Sequence, residues 1–256
     1  MIITIDSGHY GKYNQSPINK SYYESEFNWK MTNYMKKYFE AYGYKVRLTR
    51  KDINKDLDLY SRGKCAAKSD LFISIHSNAC NTESVDYPVV IRGHNEKDTD
   101  KLALSLAQLI AKIMNTRQEG RTYTKTNYNT EWYGVLRGAK DVNIKYRYII
   151  EHSFHTNKRA CNFLLKDENI EKLAKAECEL IANYFSYKKV QLLKVKVDNL
   201  NVRSIADWEA KPCLTVNKGD VFTIVDVVKA KNGTTEMYKL KSGLYITTSS
   251  KYVELI

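Results

Sequence analysis

Residues 70–79 read DLFISIHSNA, an apolar run that ends in a histidine, a serine and an asparagine. A short run of this kind, rich in β-branched and aromatic residues, indicates a strand that is buried on both faces. Three other segments share this character: IITID at 2–6, YKVRLT at 44–49 and YRYIIE at 146–151. Because strands buried on both faces are typical of parallel sheets, the four segments predict a mostly parallel sheet.

Segments with helical spacing separate these strands. Phe27, Met31, Met35 and Phe39 recur every four residues, and Gly43 follows them as a helix stop. Further helices are predicted at 56–68, 98–115 and 168–185. This alternation predicts an α/β fold, with a mostly parallel, twisted sheet flanked by helices.

The pattern changes at about Val190 to short strand-like runs and turns. Asn232-Gly233 lies between two such runs, and Lys218-Gly219-Asp220 marks another turn. We therefore predict two domains, residues 1–187 and a small all-β domain at 190–256. The segment Tyr187-Lys188-Lys189 is the predicted linker.

The charge of the chain favours some partners over others. The net charge is +12, but the lysines are spread along the chain, without a block of five or six. Such a diffuse positive field favours association with an anionic wall polymer over binding of nucleic acid. The longest apolar helical stretch, Leu102 to Met114, is interrupted by Gln108 and Lys112, so we expect no membrane insertion.

The cysteines and the first residues indicate where the chain is made. The five cysteines are an odd number without a CxxC pair, and we expect free thiols. The opening residues MIITIDSGHY lack a basic start and carry Asp6 within the apolar run. They therefore predict a strand, not a signal peptide, and synthesis in the cytoplasm.

Ionisable side chains lie at the ends of three predicted strands. His9 follows the first strand, His76 ends the strand at 70–76, and Glu151 ends the strand at 146–151. Because the carboxyl ends of parallel strands meet at one edge of a sheet, these side chains should converge. Glu24, at the start of the first helix, enters at the same edge. Two imidazoles and one carboxylate, from His9, His76 and Glu24, form the ligand set of a catalytic zinc site.

The phrases around these residues resemble the amidase_3 family of N-acetylmuramoyl-L-alanine amidases. The matching phrases, in chain order, are Ile5-Asp6-Ser7-Gly8-His9, Glu24-Ser25-Glu26-Phe27-Asn28, Thr49-Arg50 with Arg62, DLFISIHSNA at 70–79, and Ile149-Ile150-Glu151-His152-Ser153-Phe154 with Asn157. The resemblance covers roughly residues 1–187. It implies that His9, Glu24 and His76 bind one zinc ion, with Glu151 as the catalytic residue. The implied reaction is cleavage of the amide between N-acetylmuramic acid and L-alanine of peptidoglycan.

Two segments depart from the family pattern. Residues 10–23 are polar, tyrosine-rich and include Pro17 where the family usually has glycine-rich sequence. Ser153 stands where a glycine is common. These departures leave the substrate groove, and its binding residues, without an assignment.

Other ionisable residues near the predicted ligands remain as alternatives. Glu26 lies two residues after Glu24 and could take its place as the metal ligand. His94 lies in a polar segment and is expected to be a solvated loop residue. His152 and His155 follow Glu151 and are candidates for contacts to the site or to substrate.

The tail resembles a bacterial SH3-type domain. The matching phrases are Leu200-Asn201-Val202-Arg203-Ser204, Lys218-Gly219-Asp220-Val221, Tyr238-Lys239-Leu240-Lys241 and Ser250-Lys251-Tyr252-Val253, with Ile205-Ala206-Asp207-Trp208 in place of the usual glycine-proline. The resemblance implies a small SH3-like barrel that binds the cell wall.

A wall hydrolase that is made in the cytoplasm needs a way out of the cell, so we expect a phage endolysin, made in the host cytoplasm, that acts on the cell wall after release. A sporulation autolysin, a zinc carboxypeptidase acting on stem peptides, and a basic binding protein with a degenerate site are the alternatives.

Overall fold

The computed structural model describes residues 1–185 and 191–256 of the chain. The chain divides into two compact units, Met1–Phe185 and Ser186–Ile256. The predicted linker at Tyr187-Lys188-Lys189 lies outside the described residues. None of the helices in the described ranges is both long enough and apolar enough to cross a bilayer.

A six-stranded sheet and a small hairpin account for the strands of the first unit. The strands are β1 (Ile2–Ser7), β2 (Lys45–Leu48), β3 (Leu71–Asn78), β4 (Val89–Arg92), β5 (Arg121–Tyr123), β6 (Thr126–Asn127), β7 (Thr130–Glu131) and β8 (Tyr146–Phe154). The order across the sheet is β2-β1-β3-β8-β4-β5, and β6 pairs with β7 as the hairpin. The four predicted strands are therefore neighbours, and they run parallel.

The sheet is mostly parallel, as predicted, but its direction reverses where β4 joins β8. β4 pairs with β8 in the antiparallel sense, and β5 is parallel to β4, so the sheet is mixed. These two strands contain only four and three residues, too few to give a clear sequence pattern. The reversal matters because it brings the beginnings of β4 and β5 to the edge where β3 and β8 end.

Helices cover both faces of the sheet. They are α1 (Glu24–Ala41), α2 (Leu59–Lys64), a 3₁₀ helix (Lys97–Thr99), α3 (Asp100–Met114), α4 (Gly134–Asp141), α5 (Lys158–Leu164) and α6 (Asp167–Tyr184). α1, α3 and α6 pack side by side on one face. On the other face α2 packs on α4, whose Leu136 joins Phe72, Ile91 and Ile149 of the sheet in one apolar cluster.

The second helix is shorter than predicted. The side chain of Asp58 accepts a hydrogen bond from the backbone N–H of Ser61, so the helix begins at Leu59 and not at 56. It ends at Lys64, and Lys68 at the end of the predicted range has a φ of 66°. A glycine allows its close contact with α4, because a Cβ at Gly63 would lie 2.1 Å from the carbonyl oxygen of Val135.

The second unit consists of strands and turns. Its strands are β9 (Gln191–Val195), β10 (Leu200–Val202), β11 (Leu214–Val216), β12 (Val221–Lys229), β13 (Glu236–Leu240), β14 (Tyr245–Thr247) and β15 (Val253–Leu255). A five-stranded antiparallel sheet has the order β14-β13-β12-β9-β15, and β10 pairs with β11. Both predicted turns lie between strands and contain a glycine in the left-handed region, Gly219 at φ 97° and Gly233 at φ 74°. An apolar core that includes Leu193, Ile224 and Ile246 holds the strands together.

Candidate metal centre

Four ionisable side chains singled out from the sequence meet at one edge of the first unit's sheet. His9 follows β1, His76 lies in β3, and Glu24 is the first residue of α1. Glu151 of β8 is paired with His76 in the register of the two parallel strands. Neighbouring strands lie about 4.8 Å apart, so Glu151 lies beside the cluster of the other three.

Glu24 bridges the two histidines. Its Oε1 lies 2.9 Å from Nδ1 of His76, and its Oε2 lies 3.3 Å from Nε2 of His9. One ligand atom from each of the three residues lies within 4.8 Å of the others, which is the spacing of a shared cation. Glu26, the alternative to Glu24, is not part of this group. Two imidazoles and one carboxylate are a donor set suited to zinc, with room for a fourth ligand.

The carboxylate of the cluster is held in its ionised form. Burial alone would raise the pKa of Glu24, but hydrogen bonds with His76 and His9, and their charges, hold it well below its ordinary value. Burial lowers the pKa of His76, but the Glu24 hydrogen bond and nearby carboxylate charges raise it to about 9. Glu24 is therefore ionised although only 2% of its side chain is exposed. A buried carboxylate that is held ionised requires positive charge next to it.

Glu151 has a different environment from Glu24. Its side chain is half-buried, and its Oε2 atom is buried without a hydrogen-bond partner among the described residues. Burial, assisted by the charge of Glu24 and opposed by His76 and His152, raises the pKa of Glu151 to about 7. A carboxyl group with such a pKa can both accept and release a proton near neutral pH.

Comparison with known proteins shows the family to which the chain belongs. The model of the Amidase_3 family, N-acetylmuramoyl-L-alanine amidase, matches residues 3–183, a range that contains all four side chains. The chain belongs to this family. It is therefore a member of a family of peptidoglycan amidases.

Individual relatives agree with the family assignment. The chain is 29% identical to the endolysin of Bacillus phage SPP1, over 98% of this chain and 97% of that protein. Cwp6 from Clostridium difficile has a TM-score of 0.62 and 25% identity, over 71% of this chain and 29% of Cwp6. The catalytic domain of CwlV, an N-acetylmuramoyl-L-alanine amidase from Bacillus (Paenibacillus) polymyxa var. colistinus, has a TM-score of 0.61 and 20% identity, over 73% of this chain and 99% of that domain.

In this amidase the backbone of His9 is held in place from two sides. His9 adopts a φ of 58°, a left-handed conformation that costs free energy for a residue with a side chain. The Arg50 guanidinium donates hydrogen bonds to the carbonyl oxygens of Ser7 and His9, and the Asn28 amide donates to that of Gly8. Arg50 and Asn28, which lie in the family phrases, therefore position His9.

Gly8 must lack a side chain. A Cβ at this position would lie 2.3 Å from Cε1 of His76 and 2.6 Å from the carbonyl oxygen of Ile75. The second of these neighbours is backbone and cannot move aside at low cost. Gly8 therefore allows the two histidines to approach one another, with ring centroids 5.0 Å apart.

The segment at 10–23 also contacts the ligands. The Asn14 side-chain amide donates a hydrogen bond of 2.6 Å to Glu24 and lies 3.2 Å from Nε2 of His9. The ring of Tyr13 stacks on His9 with centroids 4.8 Å apart. Neither residue could be assigned a role from the sequence, because this segment departs from the family pattern.

A network of hydrogen bonds extends from Oε1 of Glu24. The backbone N–H of Ser77 donates to Oε1 of Glu24. The Ser77 hydroxyl lies 2.7 Å from the Tyr22 hydroxyl and 2.9 Å from Nδ1 of His155. Burial lowers the pKa of His155, so this histidine takes part in the network in its neutral form. The sequence left contact with the site and contact with substrate open for His155. The structure shows contact with the site, through Ser77 to Glu24.

His152 supports the strand that carries His76. Its Nδ1 lies 3.0 Å from the carbonyl oxygen of His76, and its Nε2 lies 3.0 Å from Oε1 of Glu177 on α6. His152 and Glu177 are both fully buried. Burial lowers the pKa of His152, but the charge and hydrogen bond of Glu177 raise it above its ordinary value. Glu177 was not predicted as a functional residue, although a glutamate within the apolar stripe that contains Leu173 and Cys178 indicates a buried partner.

Removal of Glu177 is expected to destabilise the amidase unit strongly. Glu177→Ala leaves the charged form of His152 buried without its partner, a change that typically costs about 3–5 kcal/mol. Because the pKa of His152 is raised in the folded protein, the pair stabilises the protein fully below about pH 6.5, the pKa of histidine in the unfolded chain. This stabilisation decreases as the pH rises through the pKa of His152 in the folded protein. Denaturant unfolding at pH 6 measures the loss. Glu179→Ala on the exposed side of α6 is the control, and equal stability of the two variants would contradict the role of the pair.

Ser153 occupies a position that a glycine would fill without strain. Its φ is 59°, in the left-handed region that explains why glycine is common here in the family. The Ser153 hydroxyl donates a hydrogen bond of 2.8 Å to the buried Asp86 carboxylate, which also pairs with the Arg159 guanidinium. In this chain the Asp86 contact holds the turn that glycine usually forms.

His94 lies in a turn after β4, as expected, but it is only partly exposed to solvent. His94 is half-buried, and its backbone N–H donates to Oε1 of Glu131. Its carbonyl oxygen accepts a hydrogen bond from Arg147, which forms a buried ion pair with Glu131. The polar local sequence gave no sign of this distant ion pair.

Proposed function

We propose that His9, Glu24 and His76 hold one zinc ion and that the protein is a zinc-dependent amidase. The observation that carries this proposal is the arrangement of one buried carboxylate between two imidazoles at the end of parallel strands. The ionised state of Glu24 and the nitrogen-and-oxygen donor set both suit zinc. When bound, zinc supplies Lewis-acid polarisation of a carbonyl group and activation of water at neutral pH.

We further propose that Glu151 is the general acid–base. Its carboxylate accepts a proton from the attacking water and delivers that proton to the leaving amine. Two observations support this role: the pairing of Glu151 with His76 across the strands, and the buried oxygen of Glu151 that lacks a partner among the described residues. A pKa of about 7 suits a group that must accept and then release a proton.

The substrate bond that we propose is the amide between N-acetylmuramic acid and L-alanine of the stem peptide. Support comes from the family match over residues 3–183 and from the fold shared with the CwlV catalytic domain. We propose a phage endolysin as the biological role, on the basis of similarity to the Bacillus phage SPP1 endolysin over 97% of its length. A sporulation autolysin with the same activity is the alternative.

Removal of metal is expected to abolish hydrolysis of purified cell walls. Prolonged dialysis against a chelator should stop the release of new amino groups, because the activation of water is lost. One equivalent of zinc should restore release, whereas magnesium should not, because magnesium prefers oxygen ligands. Amino groups are followed with a colorimetric reagent. Full activity of a chain shown by elemental analysis to contain no metal would contradict the proposal.

We propose that the second unit attaches the enzyme to the wall. The all-β unit with its own apolar core supports an independent binding domain of the SH3-like type. The net charge of +12 would assist contact with anionic wall polymers. A tethered enzyme meets its substrate at a high effective concentration.

Deletion of residues 190–256 is expected to weaken binding to walls without abolishing the chemistry. The deletion should reduce the fraction of protein that sediments with purified walls about tenfold or more, since the tether is lost. Hydrolysis of a soluble muropeptide should stay within twofold of the full chain. Comparison at two salt concentrations separates a charge effect from specific binding. Unchanged sedimentation of the deleted form would count against a targeting role.

A further inference from the structure

Cationic and aromatic side chains lie on and near β5, two strands away from the strand that carries Glu151. We name as the β5 strip the side chains of Arg121, Tyr123, Lys125, Trp132 and Tyr133. None of them belongs to the proposed zinc site, and none lies in the phrases quoted above for the family resemblance. Tyr123 is 41% exposed and Trp132 48% exposed, and both cations are exposed.

The register of the sheet places the first residue of the strip two strands away from Glu151. Glu151 pairs with Val89 of β4, and Val89 pairs with Arg121 of β5. Side chains in one row across a sheet point to the same face, and two strand spacings amount to about 10 Å. Arg121 therefore lies two strands away from Glu151 on the face that Glu151 shares.

The strip continues along β5 away from Arg121. Residues two apart in a strand share a face, so Tyr123 follows Arg121, and Lys125 lies two residues beyond the end of β5. Their alternation with the less exposed Thr122 and Thr124 agrees with this arrangement. Four residues of extended chain span about 13 Å. A bound extended peptide of about four residues would match this length.

Aromatic rings hold the two cations of the strip. The Arg121 guanidinium lies 4.1 Å from the ring centroid of Tyr87, and the Lys125 ammonium lies 4.5 Å from that of Trp132. Within residues 1–185 and 191–256, neither cation forms an ion pair with a carboxylate of the chain. The nearby Glu131 is buried and paired with Arg147, so it does not neutralise them.

Two tyrosines connect the strip to the catalytic carboxylate. Burial and contact with the Tyr123 hydroxyl raise the pKa of Tyr133, and the charge of Glu151 adds to this shift. Burial likewise raises the pKa of Tyr123, where Glu151 also contributes. Both hydroxyl groups are therefore neutral donors at neutral pH, close enough to Glu151 to sense its charge.

We propose that the β5 strip is the subsite for the peptide that leaves, and that Arg121 and Lys125 recognise its free carboxylate groups. This inference rests on the proposed amidase function, since it assumes that Glu151 marks the scissile bond. Two unpaired cations spaced along an extended strand match an acidic peptide. Tyr123, Tyr133 and Trp132 supply the surface between them, against which the peptide backbone packs.

Kinetics with a pair of substrates test the subsite. One substrate is a synthetic N-acetylmuramoyl pentapeptide with its carboxyl groups free, and the other carries carboxamides in their place. Arg121→Gln should raise KM for the free acid about tenfold, because a charge-assisted hydrogen bond is lost. The kcat should stay within twofold, and both constants for the amidated substrate should change less than twofold.

Two further variants keep the test decisive. Arg117→Gln removes the same charge from an exposed residue outside the strip and should leave both substrates unaffected. Lys125→Gln repeats the measurement at the far end of the strip, in case Arg121→Gln disturbs folding through Tyr87. Equal effects on the two substrates, or no effect on either, would overturn the subsite. Failure of the unmodified enzyme to cleave either compound would instead reject the proposed amidase function.

Discussion

Glu151→Gln is expected to lower the release of amino groups from cell walls by about 10²–10⁴-fold, the range typical of a lost general acid–base. Glutamine has nearly the same shape as glutamate but cannot accept the proton of the attacking water. Because Glu151 contacts the site from β8 and is not part of the ligand group of His9, Glu24 and His76, the zinc content should not change.

Measurement of initial rates and of bound zinc on the same preparation separates catalysis from metal binding. Glu151 is half-buried, and among the described residues its Oε2 has no hydrogen-bond partner for the substitution to remove, so we expect little loss of stability. Thermal unfolding of the variant provides the control for folding. Activity within tenfold of the unmodified enzyme would reject the assigned role.

Glu24→Gln is expected to abolish zinc binding as well as activity. Loss of a residue that only supports a ligand typically costs about 10–100-fold in metal affinity, and loss of a charged ligand should cost more. Glu26→Gln is the matched control, since it removes the same charge two residues away from a side chain outside the ligand group. Elemental analysis after dialysis measures both variants.

The pair of variants also decides between the two glutamates that the sequence left open. Zinc retained by Glu24→Gln and lost from Glu26→Gln would reverse the assignment. Zinc lost from both would indicate a long-range effect of charge on the site, and the present choice of ligand would then lack support. The contacts of Glu24 with both histidines lead us to expect loss in the first variant alone.

Much of the first unit could be predicted because short stretches of its sequence determine its strands and mark their ends. The four parallel strands are dense in buried β-branched and aromatic residues, and polar side chains mark their ends. Convergence of His9, His76 and Glu151 then follows from the geometry of a parallel sheet alone. Glu24 joins them because a helix that follows a parallel strand begins near the same edge.

Features that depend on distant contacts could not be predicted. The strands β4 and β5 are short, and their reversal depends on pairing with β8, which is separated from them in sequence. Glu177 meets His152 across 25 positions, and His94 is held by an ion pair between Glu131 and Arg147. Asn14 and Tyr13 reach the ligands from a segment without periodicity. Each of these residues is polar, and its local sequence does not distinguish a buried partner from solvent.

Ser153 shows that a departure from a family pattern can preserve the local conformation. The left-handed backbone that glycine allows at this position is present here with a serine. The hydroxyl contact with Asp86 adds a hydrogen bond that glycine cannot form. The departure is visible in the sequence, but the sequence alone could not show that the turn remains.

Mass spectrometry of purified cell walls digested with the full-length protein tests the proposed function most directly. Cleavage at the muramoyl amide predicts intact stem peptides with a free L-alanine amino terminus, together with glycan strands that carry free lactyl carboxyl groups. Stem peptides shortened at their carboxyl ends and still attached to glycan would instead indicate a zinc carboxypeptidase and would contradict the account.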